Sequence, residues 1–84
     1  MQAMVSEKVD YATLSEITCD GTVSAVKAKF NFLSRRNPSQ CAEHIKHVQR
    51  KIQEWQRAKA NHSRSEMQEI KESILIYCSL IQTI

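Results

Sequence analysis

The chain has 84 residues, 42% of them hydrophobic, with a formal net charge of +3 and a single glycine and a single proline. That length allows one domain, 1–84, and a limited core. The composition excludes wholesale disorder, and so few turn residues exclude a compact sheet protein, which leaves helices.

Residues 1–6 read as a flexible tail. Ser6 or Asp10 is placed to cap a short first helix whose apolar positions are Val9, Tyr11, Leu14 and Ile17. Cys19-Asp20-Gly21-Thr22 reads as a turn. Gly21 can take the left-handed conformation that closes a helix, and Asp20 or Thr22 can cap the next one. The second helix is expected from about 23 to 34, with Val23, Val26, Phe30 and Leu33 on one face.

Asn37-Pro38-Ser39-Gln40 is the clearest local signal. Asn37 is a good N-cap, Pro38 suits the first helical position, and Gln40 stands where a capping box needs it. The third helix then runs from 38 to about 60 with Cys41, Ile45, Val48, Ile52 and Trp55 along one stripe. Asn61 to Arg64 interrupts the pattern, and Ser65 with Gln68 forms a second capping-box signature. The fourth helix, about 65–83, carries Met67, Ile70, Ile74, Tyr77, Ile81 and Ile84. Its C-terminal part is rich in β-branched residues, but the stripe continues unbroken from Met67 and a lone strand would lack a partner. The expected fold is all-α: a small bundle built on a long antiparallel hairpin, 38–60 and 65–83, with two shorter N-terminal helices.

Charge is uneven along the chain. Residues 35–64 hold eight Lys and Arg against Glu43 and Glu54, a net +6, so the third helix is a basic rod with an apolar seam. Lys46, Arg50, Lys51 and Arg57 are the residues that would meet phosphates or an acidic partner; the alternative is an ordinary solvated face. Residues 23–52 fit a helix-turn-helix poorly, since the turn between them lacks glycine.

Cys41, His44 and His47 lie three apart, yet on a helix Cys41 and His47 diverge by about 120°, which disfavours one shared ion, so neither a metal nor another cofactor is expected. Trp55 falls on the packing stripe and reads as a core anchor rather than a base-stacking platform. Cys78 and Cys19 have no histidine close in sequence to serve as a base, and the chain has little room for a deep pocket. A non-enzymatic protein is therefore expected. An odd number of cysteines without metal spacing suits a reducing, cytoplasmic setting, and no apolar run approaches the roughly 20 residues that span a bilayer.

The most telling feature is the segment from Ile74 to Ile81, apolar nearly all the way round its helix. Such a helix needs cover on every side. The leading expectation is a protein–protein interaction module, a small regulator, adaptor or chaperone-like subunit in a homo- or hetero-oligomer. Its contact would be made by Ile70, Ile74, Tyr77, Cys78 and Ile81, with Ile45, Val48, Ile52 and Trp55 across the seam. On that reading Ile74→Asp and Ile81→Asp abolish assembly before helicity. The alternative is a nucleic-acid-binding or transcription-modulating protein that uses the basic helix 38–60.

Overall fold

The computed structural model describes residues 9–84 and consists of four helices: α1 (Tyr11–Ile17), α2 (Asp20–Arg36), α3 (Pro38–Ala60) and α4 (Arg64–Thr83). The fold is an all-α bundle. The expected tail and the candidate cap Ser6 lie outside the described residues.

α1 is capped by Asp10, whose Oδ1 accepts from the Thr13 N–H at 3.2 Å and whose Oδ2 accepts from the Thr13 hydroxyl at 2.8 Å. It ends without a left-handed residue. The Thr18 N–H and hydroxyl both donate to the Leu14 carbonyl, at 2.8 and 2.7 Å, which satisfies the helix end locally. Gly21 therefore does not close α1. It sits in the first turn of α2 without positive φ, and the N-cap of α2 is Cys19 rather than Asp20 or Thr22. α2 begins and ends beyond the expected 23–34. Its last turn carries Arg35 and Arg36, which favour the negative end of a helix.

Asn37 serves two helices at once. Its N–H donates to the Leu33 carbonyl at 2.7 Å, closing α2, and its Oδ1 accepts from the Gln40 N–H at 3.2 Å, opening α3. The box closes side chain to side chain, with Asn37 Nδ2 donating to Gln40 Oε1 at 3.4 Å. α3 has the expected bounds, because Pro38 fixes its start and Asn61-His62-Ser63 its end.

That end is a Schellman turn. His62 N–H donates to the Lys59 carbonyl at 3.1 Å and Ser63 N–H to the Ala58 carbonyl at 2.9 Å, with His62 at φ 56°. A residue with a Cβ is strained there, so His62→Gly is expected to raise stability by about 0.5–1 kcal/mol in urea unfolding. A drop instead would mean that the His62 side chain holds the turn. α4 starts at Arg64 behind Ser63, so the Ser65–Gln68 box does not form; Gln68 Nε2 instead donates to Glu72 at 3.1 Å.

α3 and α4 run antiparallel as a hairpin, and α2 packs on both. Val26, Phe30 and Leu33 meet Cys41, Val48, Ile52 and Trp55, with Ile74, Cys78 and Ile81 completing the core from α4. Ile84, placed by its spacing on the apolar stripe, is exposed just past the end of α4, and Cys78 takes a buried place instead.

α1 is too short to hold itself as a helix. It buries Leu14 and Ile17 and is tied to α3 by polar side chains. Gln49 Oε1 accepts from the Asp10 N–H at 3.0 Å, Gln56 Nε2 donates to Asp10 Oδ2 at 3.2 Å and Thr13 Oγ1 at 3.1 Å, and Lys59 Nζ meets Glu16 Oε2 at 3.0 Å.

Candidate functional site

α4 divides into two halves around its axis. Ile74, Cys78 and Ile81 are 2%, 1% and 0% exposed, so three of the five residues expected at a partner interface lie inside the chain's own core. Ile70 and Tyr77 are half-buried and pack against that core. The physical reason is that α2 and α3 together pack over this side of α4. Ile74, Cys78 and Ile81, expected at a partner contact, are therefore core residues with no surface to offer a partner.

On the other side of α4 the exposed apolar residues are Ile76 (63%), Leu80 (56%) and Ile84 (49%), with Leu75 at their flank. A spacing of four places Ile76 and Leu80 in one row, which Ile84, one residue past the helix end, continues. The outward side of the preceding turns is acidic, carrying Glu66, Glu69 and Glu72. A second exposed apolar side chain, Phe32, stands on α2. Lys29 Nζ and Arg36 Cζ lie 5.5 and 5.7 Å from its ring centroid, and it lines a shallow depression with Ala25, Ala28, Lys29 and Gln82. Spacing alone did not flag Phe32, since its neighbour Phe30 carries the stripe.

Tyr77 is enclosed by two histidines of α3. His44 Nδ1 and Tyr77 Oη are hydrogen-bonded at 2.5 Å, and the His47 ring stacks on Tyr77 with centroids 4.2 Å apart. His44 Nε2 is buried without a partner among the described residues. Burial holds the His47 imidazole below its ordinary 6.5, and Lys51 and Arg50 act in the same direction. The fold therefore favours the neutral ring. Its contribution is present above about pH 6.5 and is lost as pH falls through the lowered value. Tyr77→Phe leaves both nitrogens of His44 unpaired and is expected to cost about 1–3 kcal/mol in denaturant unfolding. An unchanged midpoint would show that the Tyr77 hydroxyl contributes nothing to the seam.

The cysteines do not gather with the histidines. Cys41 Sγ donates to the Phe30 carbonyl at 3.3 Å within the core, Cys78 is buried with its thiol pushed up to about 11, and Cys19 is exposed. Among the described residues no three His, Cys, Asp or Glu side chains are grouped to hold a metal, and no helix is long and apolar enough to cross a membrane.

Of the four basic residues, Lys46, Arg50 and Arg57 are exposed and share the side of α3 turned away from the core. Lys51 lies off that row, half-buried, with Nζ 3.6 Å from Glu54 Oε1. It lines a depression between α3 and α4 with Arg57, Glu66, Glu69 and Ile70.

No family model, curated protein or solved structure matches this chain.

Proposed function

We propose that this chain is a non-enzymatic helical interaction module, a small regulator, adaptor or chaperone-like subunit, which docks another protein through the outward row of α4. The observation that supports this reading is the run of Ile76 and Leu80, continued by Ile84 just past the helix end, each about half exposed or more on the side of α4 turned away from the core. Isolated exposed apolar residues are ordinary, but a row of three on one helix face is the chemistry of a bundle or groove contact. The three free thiols fit a reducing, cytoplasmic setting.

The test is a pull-down from native lysate with tagged wild type and tagged Leu80→Glu, with and without nuclease. The reading predicts a nuclease-resistant protein partner in near-equal amount that Leu80→Glu loses. A partner retained equally by both chains would place the contact elsewhere.

A second reading rests on Lys46, Arg50 and Arg57, which have no carboxylate within ion-pair distance among the described residues. It makes the outer side of α3 a phosphate-tracking surface. Its binding to nucleic acid would weaken steeply with salt. Affinity insensitive to salt excludes it.

A further inference from the structure

We propose that the occupant of the α4 row is a second copy of this chain, with the two α4 helices packed antiparallel about a two-fold axis near Leu80. This inference rests on the reading just given and names its partner.

The polarity of the face selects the arrangement. The outward side of α4 is acidic over Glu66, Glu69 and Glu72 and apolar over Ile76, Leu80 and Ile84. A parallel pair would set acids beside acids, which opposes association. An antiparallel pair centred at Leu80 places Ile76 against Ile84 of the second copy and Leu80 against its own equivalent, so apolar meets apolar. The contact is isologous and closes on itself.

The same arrangement carries the acids of each copy past the end of the other's α4. What stands at that end is basic. Gln82 shares a depression with Ala25, Ala28, Lys29 and Phe32, so α2 flanks the last turns of α4. Arg35 and Arg36 follow Phe32 by three and four residues, at the C-terminal end of α2. α2 starts near the Trp55–Lys59 end of α3, where Ile17 and Glu16 sit, and ends at Asn37 beside the start of α3, so it runs in the same direction as α4. At 1.5 Å per residue, Glu72 lies about 12 Å along the axis from Leu80, and, with Phe32 taken as level with Gln82, Arg35 and Arg36 lie about 8–9 Å beyond it in the other direction. The antiparallel pairing brings these two levels within a few Å of each other, well inside the span of an arginine side chain. Arg35 and Arg36 are exposed and have no carboxylate at ion-pair distance among the described residues, and Glu72 accepts there only from Gln68. Each copy thus presents an acid where the other presents an unpaired cation. Two rows of three apolar side chains lie at the small end of specific interfaces, so the dimer is a weak one, with a Kd on the order of tens of micromolar.

Sedimentation equilibrium of the purified chain from about 1 µM to 1 mM reads this out. The expected result is a shift from the 9.7 kDa chain to twice that mass within this range. Leu80→Glu is expected to weaken association by at least about tenfold with an unchanged circular dichroism spectrum, since Leu80 is already exposed. Glu72→Arg alone, and Arg35→Glu with Arg36→Glu, should each weaken it about three- to tenfold, and the combined charge reversal should restore it. A wild type that stays monomeric throughout overturns the self-pairing, as does a dimer that Leu80→Glu leaves intact. A dimer in which the charge reversals fail to compensate overturns the antiparallel register. The reading under Proposed function is judged separately: a monomeric wild type that captures a protein lost by Leu80→Glu keeps that reading without self-pairing, and one that captures none removes both.

Discussion

A chain carrying Ile74→Asp is expected to lose its far-ultraviolet helical signal under conditions where the wild type is folded. Ile74 is 2% exposed and belongs to the cluster shared by α2, α3 and α4. Removing its aliphatic bulk costs about 2–5 kcal/mol, and setting an unpaired carboxyl in its place adds several more. A domain of 84 residues is stable by only about 4–13 kcal/mol, so the two losses together approach or exceed the total. Ile76→Asp, two residues along, is the control. Ile76 is 63% exposed, and the same change there should move the unfolding midpoint by less than about 1 kcal/mol. If Ile74→Asp folds normally while Ile76→Asp does not, α4 is turned about its axis by roughly half a circle relative to the arrangement described.

Trp55→Ala is expected to cost about 3–5 kcal/mol, read as a lowered urea midpoint. The indole is buried to 8% exposure and stands where three helices meet: Ile17 of α1 and Met67 of α4 line the same depression, and Lys59 Nζ lies 5.1 Å from the ring centroid. Truncation removes a large side chain placed between the short first helix and the hairpin. Trp55→Phe, which keeps most of the bulk, should recover more than half of the loss. A cost below about 1 kcal/mol for the alanine variant would show that α1 and Met67 close over the gap.

The helices were legible wherever a local signal determined them. Asn37, Pro38 and Gln40 announce the start of α3, and the stripes at Val26–Phe30–Leu33 and Cys41–Val48–Ile52–Trp55 announce which faces are buried. Gly21 misled because left-handed closure was one of two available solutions, and Thr18 supplied the other through its hydroxyl. The attachment of α1 was not legible at all. Gln49 and Gln56 are unremarkable polar residues on a polar helix, and their partners lie 39 to 46 positions away. For the candidate interface, the sequence showed that the segment from Ile74 to Ile81 is apolar nearly all round but could not show which half was covered, because that depends on how α2 lies across it. Four of the five expected contact residues, Ile70, Ile74, Tyr77 and Ile81, belong to the regular stripe, and regular spacing marks a core more strongly than a docking surface.

The polar attachment of α1 also sets how the molecule breathes. Two of its bonds, Gln56 to Asp10 and Lys59 to Glu16, are solvent-exposed; such bonds compete with water and hold a short helix only modestly. The amides of Leu14 and Thr18, whose bonds lie within α1 and its cap, should therefore exchange with deuterium through local opening. Those of Val48 and Ile52, in the middle of α3, should exchange only when the whole chain unfolds. Such an opening would bare Leu14 and Ile17 together with the indole of Trp55, leaving the other three helices in place.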